Sequence, residues 1–434
     1  MRVLVRSFGC SSNVADGEVM AGCLRKADFD LCHTVDEADV VVYNTCGVKA
    51  PTENKVIHLL KQVPVDRRLV VAGCLPLIDF SRICQEVRFD AVVGPAFGEG
   101  IVDVVKRVLK GERVVALDGS LCSQSSLDLP RARVNSVIGI VPVTYGCMGE
   151  CSYCCVRFAR GKLRSFGVDD VVRHVRNSLD EGVREFWFTG QDIASYGLDL
   201  GCNIVGLLSE VCAVSGFGGF WVRVGMMTPN LLLRFVDDYV TFLSKQQEGL
   251  GRVFEFLHLP VQSGDDEVLR LMNRRYCVED FEHVVGAFRR VLPQITVATD
   301  VIVGFPNEDV EAFGDTVELI KKIKPDIVNV SKFFARPNTV AENIEPKIGA
   351  SELKRRSEVL AGLVRRVGLE KNKAWIGWSG QILIDEMGKK TDSWVGRNFA
   401  YKPIVVHSDQ DLLGKVFHVR IVDAFQSHLV AEIA

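Results

Sequence analysis

Residues 145–165 read YGCMGECSYCCVRFARGKLRS, with four cysteines inside nine residues and a run of basic side chains directly after them. Cys147, Cys151 and Cys154 stand in a C-x3-C-x2-C spacing, just past a β-branched run. A zinc site generally takes four ligands, usually from two C-x2-C knuckles, and no second knuckle or nearby His pair completes one here. Three thiolates on one short loop suit a [4Fe–4S] cube whose fourth iron has no protein ligand and can take a small molecule. The alternative is three thiols packed in a buried loop. Cys155 reads as a packing residue.

A chain of 434 residues exceeds one ordinary core and implies about two to four domains. Its 47% apolar and 25% charged residues match a globular protein in water. No window approaches the roughly 18 uninterrupted apolar residues of a membrane helix. The short apolar run at the N-terminus is broken by Arg6, so neither a secretory signal nor a membrane partner is expected. That makes a reducing cytoplasm the expected location, where 14 cysteines read as metal or redox ligands rather than disulfides. A formal charge of −3 excludes a uniformly basic nucleic-acid binder, and leaves RNA contact to local patches.

Periodicity predicts an α/β chain in three pieces. Over 1–118, short strand-like runs (Val3–Phe8, Val40–Asn44, Arg68–Ala72, Ala91–Val93) alternate with helical patterns at 16–27, 52–62, 79–87 and 98–110, the rhythm of a parallel sheet. Residues 119–135 are Ser-rich and read as a linker. Over 136–373, six strands are predicted at Val137–Tyr145, Glu185–Gly190, Gly219–Gly225, Val253–Leu259, Thr296–Gly304 and Asp326–Phe334. Helices fit the gaps, at 168–181, 203–213, 229–246, 264–272, 279–292 and 308–323, and suggest a partial (β/α)6 barrel, closed by a basic helix at 351–373. Over 374–434, short β-rich runs with glycine punctuation (Gln381–Asp385, Lys402–His407, Lys415–Val422, His428–Ile433) suggest a small β-barrel.

Three further cysteines share one context: "SFGC" ends at Cys10, "YNTC" at Cys46 and "VAGC" at Cys74. Each follows a strand-like run, and neighbouring strand ends of a parallel sheet converge on one edge. A second cluster with an open iron and a set of packed thiols are both compatible with that placement. Cys23, Cys32 and Cys84 sit in or near helix patterns and read as packing.

The central loop, with Tyr153 one place before the last cysteine, resembles the radical S-adenosylmethionine (SAM) signature, in which the open iron of a [4Fe–4S] cluster holds SAM and an electron cleaves it to a 5′-deoxyadenosyl radical. Other segments match in order. Thr189-Gly190-Gln191-Asp192 stands where the superfamily has its Gly-Gly-Glu motif for the SAM amine, in altered form. Gln262-Ser263 resembles the ribose-binding position, and the segment from Asp300 to Gly304 the one that lines the adenine. All are predicted at C-terminal strand ends, where α/β barrels carry their chemistry.

"GCSSNVADGE", "NTCGVKAPTENK" and "GCLP", followed by the radical SAM loop and a terminal β-barrel, resemble the methylthiotransferase family over essentially the whole chain. The resemblance implies an auxiliary [4Fe–4S] cluster on Cys10, Cys46 and Cys74, hence two clusters in all, and an RNA-binding TRAM barrel matched by "VGRNFAYKPIVV". "PTENK", "QDIASYG", "RVGMMTPN" and "FLHLPVQSGDDEVLRLMNRRY" are most similar to the archaeal and eukaryotic branch. That branch methylthiolates N6-threonylcarbamoyladenosine at position 37, beside the tRNA anticodon. Gly17 and Gly190 stand where Ser is usual, and neither departure removes a ligand.

Such chemistry would explain the parts. C2 of adenine carries an unactivated C–H bond that general acid/base groups alone cannot functionalise, so a cofactor must supply a radical. The implied partners are the tRNA anticodon stem-loop and an electron donor such as ferredoxin or flavodoxin, with the protein a monomer. Candidate RNA contacts are Arg157, Arg160, Lys162 and Arg164 beside the cluster loop, and Lys389, Lys390, Arg397 and Lys402 with Tyr401 for stacking. The helix at 352–373 adds seven Lys/Arg against three Glu. Two rivals remain. A sister branch acts on an aspartate of a ribosomal protein, against which the basic loop and "PTENK" speak. A non-catalytic iron–sulfur RNA-binding protein would not need six candidate ligands and the SAM-site segments. His258, at a strand end, is expected to be a hydrogen-bonded structural residue.

Overall fold

Val40–Thr45 is buried at every position, as a strand must be in a sheet covered on both faces. The computed structural model describes residues 1–48, 50–117, 126–215, 219–246 and 253–434. Its first sheet holds β1 (Arg2–Ser7), β2 (Asp30–Leu31), β3 (Val40–Thr45), β4 (Arg68–Gly73), β5 (Ala91–Val93) and β6 (Val114–Ala116) in the order β2-β1-β3-β4-β5-β6, with every pairing parallel. Between them run α1 (Ser11–Lys26), α2 (Ala50–Lys61), α3 (Leu75–Ile78), α4 (Phe80–Glu86) and α5 (Gly100–Leu109). Alternate residues of β3 go to opposite layers. Val40 and Val42 pack with Val19, Met20 and Val105, while Val41 and Tyr43 pack with Val56, Ile57 and Leu60.

The central piece starts with β7 (Ile138–Pro142), β8 (Thr144–Tyr145), α6 (Val156–Arg160) and β9 (Arg164–Ser165). It continues through α7 (Val168–Asp180), β10 (Glu185–Thr189), α8 (Ile204–Cys212), β11 (Trp221–Val224), α9 (Pro229–Leu232) and α10 (Val236–Gln246). Then come β12 (Phe256–His258), α11 (Asp266–Leu271), α12 (Val278–Val291), β13 (Thr296–Val303), α13 (Val310–Ile323) and β14 (Ile327–Lys332). Parallel sheets β7-β10-β11 and β12-β13-β14 adjoin through the parallel bridge Val222 to Val253, giving six strands in chain order, a partial barrel. The pair β8–β9 is antiparallel, a hairpin that the sequence did not signal. Helix α14 (Ala350–Lys373) leads to a closed barrel of five strands, β15 (Ser379–Met387), β16 (Ser393–Arg397), β17 (Pro403–His407), β18 (Val416–Ala424) and β19 (Leu429–Ile433). Of the expected linker, 119–125 lies outside the described residues. The rest runs along α1, where the Val134 amide donates to Glu18 Oε1 and the Ala132 amide to the Glu18 carbonyl.

The terminal barrel seats on the N-terminal strand ends of the central one. Tyr401 lies 4.8 Å from Phe254 and 5.1 Å from Phe256, ring to ring. Lys402 Nζ pairs with Asp326 at 2.7 Å, and Arg397 with Asp385 at 3.0 Å. Glu185, first residue of β10, faces Asp385. Burial pushes the Glu185 carboxyl up to about 8, and the Asp385 charge adds to the rise. Glu185 Oε2 and Asp385 Oδ1 are both buried without another partner, which fits one proton held between them, with Arg397, Glu386 and Tyr401 around the pair. The folded protein then keeps a proton that the unfolded chain releases near the ordinary value of 4.5, so its stability falls as pH rises towards about 8. The thermal midpoint of the wild type is expected to fall more steeply over that range than that of Glu185→Gln, whose amide donates without titrating. Parallel curves would show that Glu185 is ionised in the folded state.

Candidate active site

The order of the first sheet reverses between β1 and β3, because the chain builds β2 on one side of β1 before crossing to the other. Crevices at such switch points, outside the C-terminal strand ends, are where open parallel sheets bind ligands. Cys10, Cys46 and Cys74 follow β1, β3 and β4 at that edge. Gly9, at φ 105°, approaches Cys46 so closely that a Cβ there would stand 2.7 Å from its sulfur. Cys46 and Cys74 are buried and Cys10 is exposed. Burial raises the Cys46 thiol and pushes Cys74 up to about 12; the Arg160 guanidinium opposes both rises, and Cys10 adds to both. Buried thiols such as Cys46 and Cys74 need positive charge nearby to ionise, and a cluster would supply it.

The second triad lies between β8 and α6. Gly146, at φ 73°, opens the loop, and any side chain there would overlap the Lys162 carbonyl. The Gly149 amide donates to Cys147 Sγ at 3.1 Å, and a Cβ at Gly149 would lie 3.2 Å from that sulfur and 3.8 Å from Cys151 Sγ, so both flank one glycine. Desolvation pushes the Cys154 thiol up to about 12 and raises Cys147. Arg274, in the loop after α11, donates to Cys151 Sγ at 3.0 Å. Among the described residues no three acid, thiol or imidazole groups converge on the point that a single ion would occupy. A cube asks for something wider, since each thiolate ligates its own iron.

The segments that carry the two triads meet across one interface. Cys74 and Ile78 pack with Cys155 and Ala159, and Cys155 Sγ lies 3.6 Å from the Gly47 carbonyl. Arg160 of α6 pairs with Asp16 of α1 at 2.7 Å, with both side chains 2% exposed or less. Tyr145 Oη donates to Asp16 at 2.9 Å, and Arg160 donates to Asn13 Oδ1 at 3.2 Å. Arg336, after β14, pairs with Glu53 of α2, which also takes Arg82. Sequence reasoning missed Asp16, Glu53 and Arg274, and the pairing of Arg336. No local pattern marks them, for Arg336 and Glu53 are 283 positions apart.

The positions expected to hold SAM fall at the C-terminal ends of the central strands or beside them. Gln191, after β10, has a buried Oε1 without a hydrogen-bond partner, an acceptor that fits an amine. The Thr189 hydroxyl bonds those of Ser11 and Ser12 at 2.9 and 3.1 Å, and so joins the domains. Gln262 takes φ 71°, and its amide donates to the Asp300 carbonyl. Asp300 accepts from Asn329 at 2.7 Å and pairs with His258 at 3.0 Å, so His258 is hydrogen-bonded as expected. Ser263 is fully buried with its hydroxyl turned to Thr316 and the Asp265 amide, a position inside the wall rather than on it. Gly304 and Tyr153 pack against Leu353 and Phe305 respectively. A cavity of about 580 Å³ opens beside Cys147 and is lined by Met148, Arg157, Phe158, Lys162 and Leu198 among others.

Residues 141–320 match the family model described as the radical SAM superfamily, and residues 2–94 that described as Uncharacterized protein family UPF0004. Over 100% of its length the chain is 36% identical to the probable threonylcarbamoyladenosine tRNA methylthiotransferase of Pyrococcus horikoshii, 99% of which is covered. The threonylcarbamoyladenosine tRNA methylthiotransferase of Homo sapiens is 32% identical over 98% of this chain and 72% of its own. The chain belongs to the threonylcarbamoyladenosine tRNA methylthiotransferase family. Among solved structures, the radical SAM methyltransferase TsrM from Kitasatospora setae, with tryptophan and a SAM analogue, superposes with a TM-score of 0.56 at 14% identity, covering 78% of this chain and 74% of that one. That likeness concerns the fold. The radical SAM fold implies one [4Fe–4S] cluster and SAM.

Several expected RNA contacts of this methylthiotransferase-family chain are corrected by burial. Arg160 is closed inside the domain interface. Arg397, Tyr401 and Lys402 lie at the seat of the terminal barrel, and their charges are taken up by Asp385 and Asp326. They face the N-terminal strand ends, the face that serves stability in α/β barrels. Arg164 lies over the rings of Tyr145 and Phe166. Arg157, Lys162, Lys389 and Lys390 are exposed. Among the described residues no helix is long and apolar enough to cross a membrane.

Removing one partner of a buried ion pair leaves the other charge uncompensated, at a cost of about 3–5 kcal/mol. Asp16→Ala is therefore expected to lower the urea midpoint of the metal-free protein strongly, and Asp16→Leu with Arg160→Met to recover much of that stability. If the double variant is no better than the single, the pair is not what holds the interface.

Proposed function

We propose that this chain is the enzyme that places a methylthio group on C2 of N6-threonylcarbamoyladenosine at position 37 of tRNA. The observation that carries the reading is that the loops bearing the two cysteine triads meet across one interface, where Cys155, next to Cys154, shares a packed cluster with Cys74. In this reading Cys147, Cys151 and Cys154 hold the cluster that binds SAM, and Cys10, Cys46 and Cys74 hold a second, auxiliary cluster. The clusters and SAM, when bound, supply an electron, a carbon radical and the methylthio sulfur. What the chain itself does is bind, orient and exclude water. Gln191 Oε1 accepts from the SAM amine, and the Gln262–Asp300 wall bounds its ribose and adenine.

The cavity beside Cys147 receives the nucleoside. Phe158 and Met148, 42% and 52% exposed, offer surfaces on which a base can stack, and Arg157 and Lys162 meet its phosphates. Lys389 and Lys390, on the exposed turn after β15, contact the stem-loop from the terminal barrel. A one-electron donor such as ferredoxin or flavodoxin, a monomeric state and a cytoplasmic location complete the reading.

Nucleosides from tRNA of cells with and without the gene test this directly by mass spectrometry. The 2-methylthio derivative is expected only with the gene; its presence in both would sink the assignment. Protein reconstituted without oxygen is expected to hold about eight irons, and about four when Cys10, Cys46 and Cys74 are all changed to Ala. The single change Cys46→Ala should spare SAM cleavage and abolish the methylthio product. Lys389→Gln with Lys390→Gln should lower the salt slope of tRNA binding by roughly 0.7 to 0.9 for each phosphate that is no longer neutralised. An unchanged slope in filter binding would confine the RNA surface to the side of Arg157 and Lys162.

A further inference from the structure

The guanidinium of Arg274 reaches Cys151 Sγ across 123 positions of sequence, at 3.0 Å. Its other donors are anchored. Nε donates to Tyr276 Oη at 2.9 Å and Nη2 to the Pro260 carbonyl at 3.5 Å, while its carbon lies 5.0 Å from the centre of the Tyr276 ring. Tyr276 Oη is itself bonded to the carbonyls of Pro260 and Val261 at 3.0 and 2.8 Å. The head group is therefore held in one orientation, with Nη1 aimed at the sulfur.

Its charge balance sets Arg274 apart from the other arginines of the site. Arg160 and Arg336 each pair with a carboxylate, Asp16 and Glu53. Among the described residues no carboxylate forms an ion pair with Arg274. Asp192, after β10, is engaged by the Thr228 hydroxyl at 2.6 Å and feels the Arg274 charge without pairing with it. A cation removed from water needs counter-charge, and the group in direct contact that can provide it is the Cys151 thiolate with what it ligates, with Asp192 farther off.

We propose that Arg274 is a positioning residue for electron entry: its fixed charge and its hydrogen bond to Cys151 favour the reduced form of the cluster held by Cys147, Cys151 and Cys154. One electron, from a one-electron donor protein or from dithionite in the test, adds one negative charge beside a fixed positive one. Hydrogen bonds to ligand sulfurs and net charge are the levers that set such potentials. Arg160, near Cys74, does not act in the same way, because Asp16 cancels its charge. The inference rests on the reading of Cys147, Cys151 and Cys154 as ligands.

Wild-type protein, Arg274→Gln, Arg274→Lys and Tyr276→Phe, each full-length and reconstituted with iron and sulfide, are titrated with dithionite. The electron paramagnetic resonance signal that shifts on adding SAM is followed. Arg274→Gln is expected to keep its iron and lose tenfold or more in the reduction equilibrium, a fall of about 59 mV for each tenfold in a one-electron couple. Arg274→Lys should fall less, since it keeps the charge and loses the fork. Tyr276→Phe should move in the same direction by a smaller amount. An unmoved potential in Arg274→Gln with full iron overturns the proposal. If Arg274→Gln loses the cluster, retention in Arg274→Lys supports the role of charge, and equal loss in both overturns it in favour of packing. A wild-type protein without any SAM-responsive cluster would instead refute the ligand reading itself.

Discussion

Much of the site depends on the buried pair between Asp16 and Arg160. Asp16 stands in the second turn of the helix that follows Cys10, and Arg160 ends the helix that follows Cys154 and Cys155. Their contact at 2.7 Å fixes how far apart the two triads lie. Asn13 extends the constraint. Its Nδ2 donates to the carbonyls of Phe8, Asn44 and Thr45, which ties together the strand ends that present Cys10 and Cys46. Its Oδ1 accepts from Arg160 at 3.2 Å. One amide thus gathers two cysteine loops and hands them to the arginine of the third. Buried pairs of this kind are weak evidence for stability but serve register well, and register is what the proposed pair of clusters sharing one substrate requires.

The central barrel is closed at both ends by different chemistry. On its C-terminal side, polar links (Thr189 to Ser11 and Ser12, Arg160 to Asp16, Arg336 to Glu53) join it to the first domain around the thiols. On its N-terminal side aromatic packing joins the buried Lys402–Asp326 pair in the seal: Trp221 stacks on Phe254 at 5.0 Å, Tyr401 inserts against Phe254 and Phe256, and Arg223 lies over Phe256 at 4.9 Å. Polar links hold position by direction, whereas aromatic packing holds it by area. The site side relies more on the first kind, and the seat of the terminal barrel more on the second.

What could be read in advance follows the same division. Strand positions were legible because β-branched runs are local, and the cysteine triads because their spacing, or their place after strands, is local too. Helix α1 starts at Ser11, five residues before the apolar pattern suggests, because Ser11, Ser12 and Asn13 look like cap residues while their side chains in fact bond across domains. Strand β16, SWVGR, escaped notice because glycine and charge interrupt so short a run. The segment Arg397–Lys402 read as an RNA surface because sequence displays charge but not what neutralises it. Asp326, which takes Lys402, is 76 positions away.

On the proposed reading, this arrangement also bounds the size of the substrate. The thiols lie beyond the C-terminal strand ends, and the terminal barrel covers the N-terminal ones. Strand β13 has eight residues, and at about 3.3 Å each it spans about 26 Å. A nucleoside in the cavity beside Cys147 cannot reach a lysine on the terminal barrel across that height, but a folded stem-loop can. A free nucleoside would meet only the cavity, with its few stacking and phosphate contacts, and would forgo every contact made at the far end. Discrimination between an RNA hairpin and a loose nucleotide then follows from where the small barrel is seated, before any base-specific contact is made.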